Sequence, residues 1–327
     1  MLTSAEEAIL SPLQSWGIQK IRNVQTFKSP GLTAFMKAVS SLGSEYFYLV
    51  IVLFIFWCVN EKRGFLLGML VVISSWINVV LKLLFDQPRP FELIPALGLA
   101  VETSRSFPSG HAQMSMTFWT AVAFYLSFHT DTGKKFRPLI WPLYAIVVFL
   151  IGLSRVYLGV HFPIDVLAGW IIALIILTVF LFFHKKIADI FSKAGKRPQL
   201  VCAAIFSLLM NVLSPHDTSL SAMLLGFCVG YSLMISGFPF TVSVPAGKGP
   251  KLLIFGLRFA IGLAGAAFIY FGLKFIFPGK GSIFDGISFL EITYEIFRFI
   301  RYCLLGLWTS AGAILVFQKL GLAASKE

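Results

Sequence analysis

The chain has 327 residues, of which 57% are hydrophobic and 13% charged, and its formal net charge is +12. Soluble domains are roughly 45–50% apolar and about 25% charged, so this composition excludes an ordinary water-soluble domain and indicates an integral membrane protein. The basic residues stand singly or in short clusters at the ends of apolar segments, a pattern that argues against nucleic-acid binding. The four cysteines lie inside apolar stretches without metal-ligand spacing, so neither a zinc site nor a disulfide is predicted.

Apolar segments long enough to cross a bilayer follow a more polar N-terminal region. Residues 1–45 contain Pro12, Gly17, Pro30 and Gly31 and are predicted to form short interfacial helices. A membrane-crossing helix needs about 20 apolar residues. Nine segments near that length are predicted as spans: Tyr46–Val59, Gly64–Phe85, His111–Phe128, Leu139–Leu153, Val166–Phe183, Leu200–Leu213, Leu220–Phe238, Leu252–Phe277 and Arg301–Leu320. The predicted fold class is therefore all-α, a polytopic transmembrane helical bundle.

The distribution of polar residues predicts both the domain boundaries and the orientation. The longest polar interruption after the first spans is 184–199, which suggests an interfacial segment 1–45, a catalytic membrane core 46–199 and C-terminal membrane helices 200–327 without an assigned role. If the nine spans alternate, the basic loops that include Lys62, Lys134, Lys185 and Lys251 share one face. The positive-inside rule makes that face cytoplasmic, so the loops after spans two and four point outward.

The first polar cluster lies where the second predicted span ends. Lys82 is followed seven residues later by Arg89, about two helical turns on, so the two cations can share a face. Pro88 and Pro90 disfavour continued regular helix, so the chain is expected to leave the membrane next to the guanidinium of Arg89. A lysine alone at this depth would be interpreted as a snorkelling anchor, but ionisable residues inside spans usually mark a functional site.

The second cluster is Pro108-Ser109-Gly110-His111, directly before the third predicted span. Ser109 is a favourable N-cap, Gly110 lets the backbone approach a ligand closely, and the N–H groups at a helix start bind phosphate. Taken alone, the same residues are equally consistent with a plain helix cap and an interfacial His111.

The third cluster begins with Ser154-Arg155 and continues to His161 and Asp165. A spacing of four predicts that His161 and Asp165 lie on one helical face. A carboxylate placed there can hold one imidazole nitrogen and leave the other free to attack, although a structural polar pair remains the alternative. The first and second clusters flank the loop after span two, and the third lies in the loop after span four. All three clusters are therefore expected on one side of the membrane.

These clusters together resemble the signature of the type 2 phosphatidic acid phosphatase (PAP2) superfamily, K-x6-R-P, P-S-G-H and S-R-x5-H-x3-D. The matches are KLLFDQPRP from Lys82, PSGH from Pro108 and SRVYLGVHFPID from Ser154, with no fixed position altered. The resemblance implies that His161 is the nucleophile, Asp165 its partner and His111 the group that protonates the leaving oxygen. It also implies a set of phosphate-binding residues: Lys82, Arg89, Ser109, Gly110 and Arg155.

The resemblance implies a membrane phosphatase that works through a phosphohistidine intermediate. Positive side chains supply the electrostatic stabilisation that phosphoryl transfer needs, and no acidic cluster is available for a metal, so no metal and no cofactor are predicted. The predicted substrate is a phosphorylated membrane lipid: phosphatidate, phosphatidylglycerophosphate, a polyprenyl diphosphate, a sphingoid phosphate or a lipid A type molecule. The compact loops favour a bacterial plasma membrane, with the site facing the periplasm or exterior.

Three other functions fit parts of the pattern. A glucose-6-phosphatase-like enzyme would share the span layout and the run NVVLKLLF that leads into the first cluster. A transporter or lipid-binding protein built on the same core would not need both histidines and all three cations. A vanadate-dependent haloperoxidase would use a similar anion pocket, but those enzymes are soluble.

The sequence also leaves the role of Arg258 open: the side chain could pair with a carboxylate, line a substrate portal or contact a lipid headgroup.

Overall fold

The computed structural model describes residues 10–215, 217–244, 249–276 and 288–325. The helices are α1 Pro12–Gln25, α2 Pro30–Ser41, α3 Glu45–Phe54, α4 Glu61–Phe85, α5 Pro90–Leu93, α6 Gly110–His129, α7 Asp131–Tyr157, α8 Pro163–Ala194, α9 Lys196–Leu213, α10 Ser219–Gly237, α11 Lys251–Ile276, α12 Ser288–Leu307 and α13 Ala313–Lys319. A π-helical turn, Ile55–Val59, follows α3, and another, Trp308–Gly312, joins α12 to α13. The short strands β1 (Phe240–Thr241) and β2 (Ala324–Ser325) pair antiparallel, with Phe240 opposite Ser325. The all-α prediction is confirmed.

Six helical segments of the described part are long and apolar enough to cross a membrane. They are Glu61–Leu93, Asp131–Tyr157, Pro163–Lys186, Ser219–Gly237, Lys251–Ile276 and Thr293–Lys319. A seventh results if Pro30–Ser41 and Glu45–Val59, which meet at a bend of 48°, form one broken span. The chain is therefore an integral, multi-pass membrane protein.

The predicted number of nine spans is not confirmed. The predicted spans His111–Phe128 and Leu200–Leu213 correspond to α6 and α9, and neither is among the six. Helix α6 buries Gln113, Ser115 and Thr117, which lower its hydropathy, and α9 begins with Lys196 and Arg197. Residues 1–9 of the predicted interfacial segment lie outside the described residues, and the rest of it forms α1, α2 and the loop before α3.

Contacts divide the chain into two units, 1–49 with 73–183 and 50–72 with 184–327. The first unit contains the three clusters, and the predicted domain boundaries at 45/46 and 199/200 stay a prediction. Within the second unit, Trp57, Phe56, Phe227 and Phe317 belong to one buried apolar cluster.

Arg258 is completely buried in the second unit and binds backbone carbonyls. Its Nε and Nη2 donate to the carbonyl oxygen of Leu322 at 3.0 and 2.7 Å, and Nη2 also donates to that of Ser243 at 3.0 Å. Its Nη1 donates to the carbonyls of Trp57 at 3.1 Å and Val242 at 2.8 Å. The side chain therefore fastens the segments around β1 and β2 to α11, a structural role.

In the first unit, a buried polar network joins α4 to the start of α6. Gln113 donates through Nε2 to the carbonyl oxygen of Ser74 at 2.8 Å and accepts from Asn78 Nδ2 at 2.9 Å. Asn78 also donates to the Pro108 carbonyl at 3.4 Å. Gly169 of α8 lies against the same place, since a β-carbon there would be 2.7 Å from the carbonyl oxygen of Ser109. These contacts bring the end of α4 and the starts of α6 and α8 together.

Candidate active site

His161 lies in the short loop between α7 and α8, and its neighbours hold that loop from several sides. Gly159 has a φ of 68°, and a β-carbon at this position would be 2.0 Å from the carbonyl oxygen of Leu97. The backbone N–H of Leu99 donates to the carbonyl of Leu158 at 2.9 Å. Gln25 of α1 donates to the carbonyls of Leu97 and Tyr157 at 2.9 and 2.7 Å. The sequence thus folds the loop into one tightly packed conformation.

The imidazole of His161 pairs with the carboxylate of Asp165 inside the protein. His161 Nδ1 is 3.3 Å from Asp165 Oδ2, and the residues are 1% and 2% exposed. The same Oδ2 accepts from the Phe162 N–H at 2.9 Å and from the Ser106 hydroxyl at 2.6 Å. The carboxylate therefore favours a proton on Nδ1, which leaves the lone pair of the ring on Nε2. Because α8 begins at Pro163, His161 precedes the helix and does not lie on it, but the predicted pair does form.

The opposite edge of the imidazole, which carries Nε2, meets Arg89, which is 1% exposed. Arg89 Nη1 lies 3.2 Å from His161 Nε2 and donates to the Val160 carbonyl at 2.7 Å. Its Nε donates to the carbonyl of Ser104 at 2.5 Å, and Nη2 donates to the Ser104 hydroxyl at 3.1 Å and to the Arg105 carbonyl at 3.3 Å. The guanidinium is thus fixed beside the nitrogen that would attack.

The remaining two predicted cations are also held in the first unit. Lys82 Nζ donates to the carbonyl oxygens of Arg105 and Ser106, the latter at 3.4 Å. Arg155, 3% exposed, donates through Nη1 to the hydroxyl of Ser40 at 2.5 Å and forms an ion pair through Nη2 with Glu102. The segment 102–106 therefore contacts all three cations.

Ser109, Gly110 and His111 form the start of α6. Ser109 is the N-cap, accepts from the N–H of Ala112 at 3.5 Å and donates its own N–H to the carbonyl of Asp165 at 3.0 Å. A β-carbon on Gly110 would be 3.0 Å from Asn78 Oδ1. The His111 ring makes no hydrogen bond with any described residue, so the structure joins Ser109 to Asp165 but does not place His111 in hydrogen-bond contact with His161.

The electrostatic environment keeps His161 neutral. Burial, followed by the positive charges of Arg89 and Arg155, holds the pKa of the His161 imidazole well below its ordinary range. A neutral imidazole retains its lone pair on Nε2 near neutral pH. The ring is therefore in the protonation state that a nucleophile requires.

The sequence analysis did not identify the side chains of Ser40, Glu102, Ser104 and Ser106, which contact predicted site residues. Three of them lie in the polar run ETSRS at 102–106, one residue before the PSGH cluster, and that run was an available signal. Ser40 lies 115 residues before Arg155, and no pattern in the sequence connects the two.

Comparison with known proteins identifies the family. The model of the PAP2 superfamily matches residues 63–189, and that of the PAP2 superfamily phosphatase transmembrane extension matches 218–325. Phosphatidylglycerophosphatase B of Bacillus subtilis is 30% identical over 164 residues, 49% of this chain and 79% of that protein. The chain belongs to the PAP2 superfamily. The resemblance inferred from the three motifs is confirmed.

Other PAP2 relatives carry names with different substrates. Undecaprenyl-diphosphatase of Sulfolobus acidocaldarius is 37% identical over 149 residues, which cover 43% of this chain and 65% of that protein. Glucose-6-phosphatase catalytic subunit 1 of Haplochromis nubilus is 30% identical over 182 residues, 48% of this chain and 50% of that protein. The chain thus spans between half and four fifths of the length of these three relatives.

The tight packing of the His161 loop predicts that Gly159→Ala destabilises the protein more than Gly195→Ala. Gly159 has a φ of 68°, and Gly195 has a φ of 74° with a ψ of 176°, so both lie in backbone regions that cost a substituted residue about 1–3 kcal/mol. Only Gly159 faces a backbone atom, whereas a β-carbon on Gly195 meets nothing within 4 Å. We expect Gly159→Ala to cost about 1–3 kcal/mol more and to lower the melting temperature in detergent accordingly. Equal melting temperatures for the two variants would contradict the described loop packing.

Proposed function

We propose that this PAP2 protein hydrolyses the phosphate monoester or diphosphate of a membrane lipid, with His161 as the nucleophile. The observation that supports this most strongly is the buried, neutral imidazole whose Nδ1 faces Asp165 and whose Nε2 faces Arg89. A nucleophile, an orienting carboxylate and an anion-binding guanidinium meet around one ring. This is the arrangement that phosphoryl transfer to a histidine needs.

In the first step, the lone pair on His161 Nε2 attacks phosphorus and the bond to the leaving oxygen breaks. Asp165 holds the Nδ1–H and stabilises the positive charge that develops on the ring. The bound phosphoryl group takes the place between Arg89 Nη1 and His161 Nε2, so that the Nη1–H donates to a phosphoryl oxygen and the lone pair on Nε2 becomes free to attack.

His111 donates a proton to the leaving oxygen. In the free site, burial and the charges of Arg155, Arg89 and Lys82 hold the pKa of its imidazole well below the ordinary range. The phosphoryl anion that binds beside these cations raises that pKa, so the ring takes up the proton from solvent together with the substrate.

In the second step, water attacks the phosphohistidine. His111, now neutral, removes a proton from the water, the phosphorus–nitrogen bond breaks and the electron pair returns to His161 Nε2. The products are inorganic phosphate and either the lipid alcohol, from a monoester, or the lipid monophosphate, from a diphosphate. His161 is restored to its neutral form.

The phosphoryl charge is balanced by side chains of the chain itself. Lys82, Arg89 and Arg155 supply three positive charges, and the N–H groups at the start of α6 after Ser109 supply further donors. Within the described ranges, no three His, Cys, Asp or Glu side chains are placed to hold a metal ion. Three cations around the site would also repel a metal, so we propose a metal-independent reaction.

The position of the site favours a lipid substrate. Lys82 and Arg89 belong to the candidate span Glu61–Leu93, Arg155 closes the span that ends at Tyr157, and Asp165 opens the span that begins at Pro163. The site therefore lies at the ends of membrane helices, where the phosphate of a leaflet-anchored molecule would be. A sugar phosphate is the second candidate, favoured by the similarity to a glucose-6-phosphatase catalytic subunit.

We expect phosphate release by the detergent-purified protein from phosphatidylglycerophosphate, phosphatidate or undecaprenyl diphosphate to exceed that from glucose 6-phosphate. His161→Ala should lower turnover by at least about 10³-fold, because no other group can form the intermediate. A chelator should leave wild-type turnover unchanged. Comparable turnover by His161→Ala would contradict the nucleophile, chelator sensitivity would contradict the metal-free reaction, and preference for glucose 6-phosphate would favour the second candidate.

We further propose that the chain lies in a bacterial plasma membrane with this site facing the periplasm or exterior. Thr103, exposed in the segment beside the site, and Lys62, exposed at the other end of α4, are matched positions for testing this orientation. In a cysteine-free background, a membrane-impermeant maleimide should label Thr103→Cys in intact cells and label Lys62→Cys only after lysis. The reverse pattern would contradict the proposed orientation.

A further inference from the structure

Arg155 is held by two side chains that lie outside the three family motifs. Its Nη1 donates to the hydroxyl of Ser40 at 2.5 Å, and its Nη2 is paired with Glu102. Its third nitrogen, Nε, is buried and has no hydrogen-bond partner among the described residues. The protein therefore fixes Nη1 and Nη2, while Nε remains available to donate a hydrogen bond to a ligand.

The chemistry of the guanidinium makes this arrangement informative. The group is planar and carries five N–H donors in a rigid fork, so fixing two nitrogens fixes the directions of all the donors. A buried N–H without a partner is costly, and such groups are rare in folded proteins. An oxygen of a bound phosphoryl group would satisfy Arg155 Nε and bind in an electrostatically favourable position.

Ser40 is itself held firmly, because helix α2 packs along the segment that carries His161. Thr33 Oγ1 lies 2.9 Å from the hydroxyl of Tyr157, and Met36 packs in one buried cluster with Tyr157 and Leu158. Beyond the end of α2, a β-carbon on Gly43 would be 3.2 Å from Cδ2 of His111. Helix α2 and the residues after it therefore lie beside Arg155, the His161 loop and His111.

We propose that Ser40 and Glu102 are positioning residues that orient Arg155 toward the phosphoryl group, so that the N-terminal helix α2 is part of the phosphate site. The inference rests on the proposed function and deepens it by assigning a role to a segment for which the sequence predicts only interfacial helices. Ser40 fixes Nη1 because its uncharged hydroxyl accepts a hydrogen bond from the guanidinium, and Glu102 fixes Nη2 as an ion pair. Neither side chain needs to touch the substrate.

The test is direct binding of orthovanadate, a phosphate analogue, to the purified full-length protein by isothermal titration calorimetry. Ser40→Ala removes the hydroxyl that holds Nη1, and we expect about tenfold weaker binding, the size expected for one hydrogen bond to a charged group. Ser41→Ala is the matched control: Ser41 is exposed on the same helix, and its hydroxyl donates to the Ala38 carbonyl at 2.7 Å. Its binding should be unchanged.

A double-mutant cycle separates positioning from a general structural effect. In an Arg155→Ala background, Ser40→Ala should cause no further loss of orthovanadate binding, because the group that it positions is gone. Glu102→Gln, a change at a partly exposed side chain, should weaken binding by about tenfold or more and should depend on Arg155 in the same way. Equal affinities for Ser40→Ala and Ser41→Ala, or equal losses with and without Arg155, would overturn the proposal.

Binding and turnover keep this proposal distinct from the proposed function. If the wild type binds orthovanadate with the expected dependence on Ser40 and Arg155 but releases no phosphate from any substrate, the positioning role stands and the hydrolase proposal fails. If turnover is normal in Ser40→Ala and Glu102→Gln and orthovanadate binding is unaffected, the positioning role fails while the hydrolase proposal stands.

Discussion

The candidate site depends on the carboxylate of Asp165. One of its oxygens, Oδ2, receives the Phe162 N–H, the Ser106 hydroxyl and the Nδ1 edge of His161 within 3.3 Å. A buried carboxylate is tolerated only when hydrogen bonds and nearby positive charges compensate it. The donors on Asp165 therefore both stabilise its charge and fix its direction. That direction determines which imidazole nitrogen carries the proton and which points to Arg89.

The cations depend on a second compensation, provided by one short segment. Residues 102–106 offer the carbonyls of Ser104, Arg105 and Ser106 and the carboxylate of Glu102 to Lys82, Arg89 and Arg155. Three positive charges in a membrane protein would be strongly unfavourable without such partners. In the proposed reaction, phosphoryl oxygens replace some of these contacts. The protein's own oxygens therefore compensate the cations before the substrate binds, and the phosphoryl group does so afterwards.

Local spacing in the sequence predicted that His161 meets Asp165 and that Lys82 and Arg89 share one neighbourhood, whereas the roles of these residues stay a prediction. Lys82 and Arg89 lie on either side of the end of one helix, and Asp165 lies four positions after His161, across the start of another. Contacts distant in sequence were not predictable: Ser40 reaches Arg155 across 115 residues, and Arg258 meets carbonyls 64 and 201 residues away. A serine or an isolated arginine has too many possible partners for its sequence context to select one.

The span count shows the same limit. Hydropathy averages a helix over all its faces, whereas Gln113 of α6 is satisfied by Ser74 and Asn78 on α4. Segment length and composition therefore predicted the membrane class and most of the helices, but nine spans were not confirmed: the described ranges contain six candidates, or seven with the broken pair. Ser106 is a similar case: its hydroxyl donates to Asp165, which lies 59 residues later, and only the folded structure shows this contact.

The central claim, phosphoryl transfer to His161, is tested most directly by trapping the intermediate in His111→Ala. With a phosphate ester of a good leaving group, such as p-nitrophenyl phosphate, the first step needs no proton donor, whereas the second step still needs a base. Peptide mapping by mass spectrometry after alkaline quenching should then find an acid-labile, alkali-stable phosphate on His161. Release of p-nitrophenol with the phosphate attached to another residue, or with no attached phosphate at any time, would contradict the account.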